Sequence, residues 1–203
     1  MLAARFWDIE DGEIRIGGSH IKQIRTEDLM NTVSFVFQDN ILFFDTIEEN
    51  IRMGNKTATK EDVINTAKAA QCHDFIMQLE KGYDALVGEG GTYLSGGEAQ
   101  RIALARAILK DAPIVLLDEA TAYADPENEG KILASFSQLI KGKTVMVIAH
   151  RLSTIRNADQ ILVVANGEIV GRGLQEELLQ NCPLYRKMWQ DYTGSTEGGA
   201  EDV

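Results

Sequence analysis

The sequence predicts an α/β fold with a mostly parallel sheet and an inserted α-helical subdomain. Residues 114–117 and 144–149 are continuous apolar runs with the length of parallel strands that are buried on both faces. A helical pattern over residues 127–140 separates them, as in a strand–helix–strand crossover unit. An earlier strand, residues 34–38, is followed by a largely helical stretch over residues 46–112, which we interpret as the inserted subdomain.

Turn and cap residues predict the elements of the first half of the chain. Residues 13–16 alternate as a short strand after an Asp-Gly turn. Thr46 begins a capping box that opens a short helix, and Thr59 caps a second helix over residues 60–71. A third short helix is expected over residues 74–80.

In the second half, an Asn-Gly turn between two β-rich runs, residues 160–165 and 168–171, predicts a hairpin. A helical pattern over residues 174–192 closes the fold. Residues 193–203 are small and acidic, and we expect them to form a disordered tail.

The composition is that of a soluble globular protein, with 44% hydrophobic and 25% charged residues in a chain of 203 residues. The formal net charge of −11 argues against nucleic acid as the main partner, because phosphate backbones are bound by basic surfaces. No apolar run approaches the length of a membrane span, so we expect no direct membrane insertion by this chain. Cys72 and Cys182 have no disulfide pattern and fit buried thiols in a reducing compartment.

Two carboxylates, Asp118 and Glu119, follow an apolar strand in IVLLDE, at the end where α/β sheets place their ligands. A metal–phosphate complex would compensate their charges, but an acidic helix N-terminus would explain the pair equally well. His150 ends the next strand, so it should lie beside the pair as a candidate phosphate contact. Gln38 ends another strand and offers an uncharged ligand for a metal ion or water.

The stretch YLSGGEAQRIALARAIL places two glycines at the start of a long helix. Ser95 and Glu98 have the spacing of a capping box. A cap does not explain Gly96 and Gly97, because glycine is a poor residue for a first helical turn. Paired glycines indicate close approach of another group to the backbone, and the free N–H groups of a first turn favour phosphate.

Five short motifs, in this order and spacing, resemble those of the nucleotide-binding domain of an ABC transporter. The matched positions are the Q-loop glutamine Gln38, the signature residues Leu94, Ser95, Gly96, Gly97 and Glu98, the Walker B acids Asp118 and Glu119, the D-loop aspartate Asp125 and the switch histidine His150. The resemblance extends from about residue 2 to residue 190 and implies a P-loop NTPase core of the ABC ATPase type. It also implies ATP and Mg²⁺ as cofactors.

The resemblance implies a role for each matched residue. Glu119 would be the catalytic base that activates water, Asp118 and Gln38 would bind Mg²⁺, and His150 would contact the γ-phosphate. Gln38 therefore belongs to both the catalytic and the metal-binding candidates. The signature residues and Asp125 would bind nucleotide at a head-to-tail dimer interface, where the signature turn contacts the γ-phosphate held by the opposite subunit.

Two further segments resemble the exporter branch of the family. Residues 38–51, QDNILFFDTIEENI, are similar to the segment that meets the coupling helices of the membrane domains, and residues 87–91, VGEGG, to the exporter X-loop. The implied partners are a second nucleotide-binding domain, in a homodimer or heterodimer, and the transmembrane domains of an exporter on the cytoplasmic side of the cell membrane. The expected domains are a core remnant with the Q-loop (1–45), a helical signature subdomain (46–112), a core with Walker B and the switch histidine (113–192) and a tail (193–203).

The sequence departs from the family's pattern in two places. The D-loop reads Ala-Tyr-Ala-Asp over residues 122–125 instead of Ser-Ala-Leu-Asp, which would put a bulky Tyr123 at the dimer seam. No G-x-x-x-x-G-K-[ST] motif occurs, and the Gly-Lys-Thr at residues 142–144 lacks the first glycine and leads into a strand. In the family the Walker A loop precedes a segment like LAARFWD, residues 2–8, so we expect an N-terminally truncated core without Walker A.

These features favour an ATP-binding and ATP-hydrolysing domain of an ABC exporter. We expect the isolated chain to bind ATP weakly and hydrolyse it negligibly, because the Walker A loop supplies most of the grip on the β- and γ-phosphates. A second hypothesis is a non-catalytic module whose signature face completes a partner's ATP site in trans. A non-transport ABC protein is a third and less favoured hypothesis.

Overall fold

The computed structural model describes residues 2–37, 41–88, 91–118, 126–149 and 152–197, and the chain divides into two compact units, Met1–Ile148 and Ala149–Val203. The strands of the first unit are β1 Arg15–Ile16, β2 Ser19–His20, β3 Val33–Val36, β4 Asp45–Thr46, β5 Leu86–Val87, β6 Ile114–Asp118 and β7 Thr144–Ile148. Its helices are α1 Thr26–Thr32, α2 Ile47–Arg52, α3 Lys60–Ala69, α4 His73–Gln78, α5 Gly96–Lys110 and α6 Pro126–Ile140. The second unit contains β8 Ile161–Ala165, β9 Glu168–Gly173, α7 Gln175–Asn181 and α8 Pro183–Glu197.

A parallel three-stranded sheet in the order β3–β6–β7 forms the centre of the first unit. The helix α6 connects β6 to β7, as the sequence predicts for a crossover unit. Val36 is opposite Leu117, and Asp118 is opposite Ile148, so the carboxyl ends of all three strands meet at one edge. The predicted α/β class with a parallel sheet is confirmed.

The prediction that β7 is buried on both faces is wrong. Met146 is 61% exposed and Ile148 is 56% exposed, whereas Val115 in β6 is fully buried. Within the described residues β6 is the one strand that pairs with β7, and β7 therefore lies at the edge of the sheet. The apolar run TVMVI has the composition of a central strand, and its edge position could not be read from local sequence.

The helical stretch between β4 and β6 packs around α5. One core combines residues of α2, α3 and α4 with α5, and its fully buried members include Ile47, Ile51, Val63, Ile76 and Ile102. A second core joins the sheet to α5 and α6, and it contains Val115, Leu117, Leu104, Ile132 and Leu139. The helix α5 thus contributes to both cores, with Ile102 on one side and Leu104 on the other.

Several local features of the first unit differ from the prediction. A short 3₁₀ turn, Leu2–Ala4, begins the described part of the chain and was not predicted. The helix α1 and the pair β4–β5 were not predicted, because both are short and depend on tertiary contacts.

The predicted cap at Thr59 is confirmed: its hydroxyl accepts from the N–H of Asp62, whose carboxylate accepts from the N–H of Thr59 at 2.9 Å.

The second unit is a hairpin covered by two helices. The predicted hairpin is confirmed, and both of its turn residues, Asn166 and Gly167, have positive φ (51° and 81°), as a tight turn of this kind requires. The helix predicted over residues 174–192 is two helices, because Pro183 lacks an N–H and begins a new one. Leu178, Cys182 and Tyr185 pack against the hairpin in a small core.

The predicted disordered tail is partly wrong, because α8 continues to Glu197. The hydroxyl of Thr193 donates to the carbonyl of Trp189 at 3.0 Å, which ties the first tail residue to the preceding helical turn. Residues 198–203 lie outside the described part of the chain. Among the helices that the structure describes, none combines the length and apolarity needed to cross a membrane.

Candidate functional site

The signature turn is the N-terminus of α5. Ser95 is its N-cap, with extended backbone angles (φ −64°, ψ 159°). Glu98 Oε2 accepts from the N–H of Ser95 at 2.8 Å and from its hydroxyl at 2.9 Å, and the N–H of Glu98 is 3.3 Å from Ser95 Oγ. The predicted capping box is therefore confirmed in full.

The turn presents its polar face outward. Ser95 and Gly96 are exposed, Gly97 is buried, and the half-buried Leu94 packs against the helical core. The N–H groups of Gly96 and Gly97 have no acceptor within the helix, because the first turn has no preceding carbonyls. An exposed serine beside such N–H groups at the positive end of a 15-residue helix is suited to an anion such as phosphate.

The common edge of β3, β6 and β7 carries the second group of candidates. Asp118 is the last residue of β6 and is half-buried. Gln38, Glu119 and His150 follow the ends of β3, β6 and β7 by two, one and two residues, but they lie outside the described residues. Asp125 and the variant D-loop residue Tyr123 are outside them as well. Their predicted contacts with one another stay predictions.

The donor atoms expected at this edge fit Mg²⁺ in type. Carboxylate oxygens of Asp118 and Glu119 and the amide oxygen of Gln38 are hard ligands, which Mg²⁺ prefers over nitrogen or sulfur. Of these three side chains, the structure describes Asp118 alone. Within the described residues no group of three or more acidic, histidine or cysteine side chains converges on one point.

A third feature is the exposed surface of residues 41–46, which begins three residues after Gln38. Phe43 and Phe44 are 52% and 66% exposed, and the next residue, Asp45, lines a shallow cavity of about 270 Å³. Asp45, Glu49, Arg52, Met53 and Lys56 line that cavity. Beneath the surface, Asn50 and Arg106 bind the backbone of residues 41–43. Neither residue was predicted as functional from the sequence, although an asparagine among the apolar positions of α2 was an available signal.

Residues 1–122 match the family model described as ABC transporter, and this match covers more than half of the chain. The chain belongs to the ABC transporter family. The matched region includes the signature turn and the strand that ends at Asp118, the two described features that the sequence singles out.

Similar proteins extend the match to nearly the whole chain. It is 48% identical over 189 residues to an ATP-dependent lipid A-core flippase of Syntrophus aciditrophicus, a match that covers 93% of this chain and 31% of the flippase. A Staphylococcus aureus protein, named provisionally as a multidrug export ATP-binding/permease protein, is 47% identical over 188 residues. That match covers 93% of this chain and 32% of the S. aureus protein.

The fold is also that of a solved exporter domain. The structure of a bacterial Atm1-family ABC exporter with ATP bound superposes with a TM-score of 0.88 at 41% identity, over 95% of this chain and 34% of that chain. The chain therefore has the ABC ATPase fold of the exporter type. It spans about a third of the length of the relatives that it matches.

Proposed function

We propose that this chain is the ATP-binding domain of an ABC exporter and that its signature turn contacts a nucleotide held by a second domain. The observation that carries the proposal is the N-terminus of α5, where exposed Ser95 and Gly96 offer a hydroxyl and a free N–H. Phosphate is the ligand class that such a turn favours. The names of the relatives, a flippase and a multidrug exporter, support an export function without indicating the substrate.

In the assembled site, the residues at the strand edge would divide the chemistry of ATP hydrolysis. Asp118 and Gln38 would hold Mg²⁺, which when bound supplies charge neutralisation for the phosphates. Glu119 would accept a proton from the water that attacks the γ-phosphorus, and His150 would contact the γ-phosphate oxygens. Asp125 would meet the opposite domain. The placement of Asp118 at the carboxyl end of β6 supports this assignment.

The proposed partners are a second nucleotide-binding domain and the membrane domains of an exporter. This would place the chain at the cytoplasmic side of the cell membrane, attached through those domains. The exposed Phe43 and Phe44 support a contact of this kind, since adjacent large aromatic side chains on a surface mark interaction sites. The domain division expected from the sequence (1–45, 46–112, 113–192) belongs to the same proposal.

For the 203 residues by themselves we propose weak ATP binding and negligible hydrolysis. The sequence contains no G-x-x-x-x-G-K-[ST] motif, and the backbone and lysine of that motif supply most of the grip on the β- and γ-phosphates. Isothermal titration of Mg²⁺–ATP into the chain tests this proposal. Binding with micromolar affinity would contradict it.

The alternative is a non-catalytic module that completes a partner's site in trans. The accessible signature turn favours it as well, because that turn needs no Walker A loop of its own. The test mixes the chain with an intact exporter nucleotide-binding domain and measures ATP-dependent association and ATPase rate. Ser95→Ala serves as the signature variant and Thr59→Ala as its control. Stimulation of the intact domain by the chain, lost in Ser95→Ala alone, supports the trans role; equal stimulation by both variants contradicts it.

A further inference from the structure

A buried asparagine fixes the segment that carries Phe43 and Phe44. Asn50, in α2, is fully buried, and its side-chain amide bonds to the backbone of Phe43 as a neighbouring β-strand would. Its Oδ1 accepts from the N–H of Phe43 at 2.9 Å, and its Nδ2 donates to the carbonyl of Phe43 at 2.9 Å and to that of Thr46 at 3.0 Å. The amide thus satisfies both backbone groups of Phe43, which water would otherwise have to solvate.

An arginine from the signature helix binds the same segment. Arg106, in α5, donates through Nε to the carbonyl of Asn50 at 2.9 Å and through Nη2 to its Oδ1 at 3.1 Å. Its Nη1 donates to the carbonyl of Ile41 at 3.2 Å, and its guanidinium carbon is 5.6 Å from the centre of the Phe43 ring. Burial lowers the pKa of Arg106, because the charged guanidinium loses part of its hydration. The carbonyl and amide oxygens and the Phe43 ring offset part of this cost.

The backbones around this network are in close contact. A side chain at Gly54, just after α2, would clash with the carbonyl oxygen of Arg106. On the other side, a Cβ at Gly88 would lie 3.0 Å from the Cα of Phe44, so the segment after β5 also touches residues 41–46. The N–H of Thr92 donates to the carbonyl of Leu86 at 2.7 Å and fixes the chain that leads to the signature turn.

We propose that Asn50 and Arg106 are positioning residues that join the exposed surface at Phe43 and Phe44 to the signature turn. Residues 41–46 are held by Arg106 of α5 and by the pairing of β4 with β5, and α5 begins directly after Ser95. We therefore expect a displacement of Phe43 and Phe44 to shift the signature turn as well as residues 41–46. The use of this link in transport rests on the proposed function, whereas the link itself exists in the chain without nucleotide.

The test is amide hydrogen exchange on the full 203-residue chain, read separately for residues 41–46, residues 94–99 and α3. Arg106→Lys keeps the charge but loses the forked donation, and Asn50→Asp keeps the shape but loses the Nδ2 donor. We expect amide exchange in each variant to be faster, on the order of tenfold, both in residues 41–46 and at the hydrogen-bonded amides of the signature turn, those of Ser95, Glu98 and Ala99. Exchange in α3 should be unchanged, as the loss of one or two hydrogen bonds implies. Arg52→Lys is the matched control, since the hydrogen bonds of Arg52 go to Glu48 and Glu49 within α2 and to the carbonyl of Ala58, and not to residues 41–46.

Two results would overturn the proposal. Faster exchange confined to residues 41–46 would show that the network holds only its own loop. An equal rise in α3 would assign both residues to global stability. The exchange rate of the signature-turn amides therefore decides whether the link exists. This rate is measured without nucleotide, so it can be interpreted even if the proposed function is wrong. A trans assay that fails while the exchange response is present would reject the function and retain the link.

Discussion

Glu98 accepts two hydrogen bonds from Ser95, one from the N–H at 2.8 Å and one from the hydroxyl at 2.9 Å. The carboxylate therefore occupies the donors of the residue that is proposed to meet phosphate. A phosphate that approaches Ser95 would also meet a negative charge within the same turn. The capping box and the proposed binding of an anion compete for one serine.

The first prediction follows from that competition. Glu98→Gln keeps the shape of the side chain but removes its charge, so we expect ATP-dependent association with an intact nucleotide-binding domain to strengthen several-fold. Analytical ultracentrifugation of the mixture with Mg²⁺–ATP measures the change. Asp62→Asn is the matched control, because it neutralises the acid of the capping box of α3, a helix to which no nucleotide contact is assigned. Weaker association of Glu98→Gln would mean that the carboxylate itself binds the nucleotide.

The second prediction separates stability from binding. Ser95→Ala removes the N-cap of α5 and should lower the free energy of unfolding by about 1 kcal/mol. Thr59→Ala removes the cap of α3 and should lower it by about as much. Urea unfolding measures both changes. A change near zero for Ser95→Ala would contradict the structural role of its hydroxyl.

The third prediction concerns Cys72. Burial raises the pKa of its thiol from 9.0 to about 12, so the folded chain keeps the thiol neutral. Its stabilising contribution is fully present below about pH 9 and decreases as the pH rises towards 12, because only the unfolded thiol ionises in that range. We expect iodoacetamide at mildly alkaline pH to modify Cys72 only after denaturant is added, with mass spectrometry as the measurement. Rapid alkylation of the native chain would contradict the buried position.

The fourth prediction concerns the exposed edge of the sheet. The strand β7 has no charge and no proline, so nothing in its sequence prevents pairing with another strand. We expect the isolated chain to self-associate in a concentration-dependent way and Met146→Lys to reduce this association. Sedimentation velocity over a concentration series measures it. Lys131→Met, a reverse change on the exposed face of α6, should not reduce association.

The fifth prediction contrasts two glycines. A Cβ at Gly171 would lie 2.8 Å from Cys182 Sγ and 3.1 Å from Leu178 Cδ2, so Gly171→Ala should destabilise the second unit by about 1–3 kcal/mol. Gly130→Ala in α6 meets nothing within 4 Å and should stabilise by about 0.5–1 kcal/mol. Thermal unfolding of both variants compares them. Destabilisation by Gly130→Ala would contradict the open surroundings of that residue.

The sequence predicts best what short-range spacing determines. The capping box at Ser95, the cap at Thr59 and the turn at Asn166 depend on residues within four positions of one another, and the structure confirms all three. The capping box predicted at Thr46 is only half present, because the Thr46 hydroxyl accepts from the N–H of Glu49 but the N–H of Thr46 donates to Asp45 Oδ1. The parallel strands were also predicted, because short apolar runs that are rich in β-branched residues and bounded by turn residues are typical of buried strands. The apolar run in IVLLDE also predicted Asp118 at the end of a strand, where the structure has it.

The remaining features depend on partners that are distant in sequence. The edge position of β7 is determined by which strands surround it, and TVMVI contains no information on that point. Asn50 and Arg106 are 56 residues apart, so no local pattern connects them. The break between α7 and α8, by contrast, could have been predicted from the sequence. Pro183 indicates a helix boundary, but the continuous helical pattern over residues 174–192 led to the prediction of one helix.

The helix α5 belongs to two cores at once, with Ile102 in the core shared with α2, α3 and α4 and Leu104 in the core that joins the sheet to α5 and α6. Neither core can lose this helix and keep its packing. The first unit should therefore melt in a single transition, since its two halves share one indispensable member.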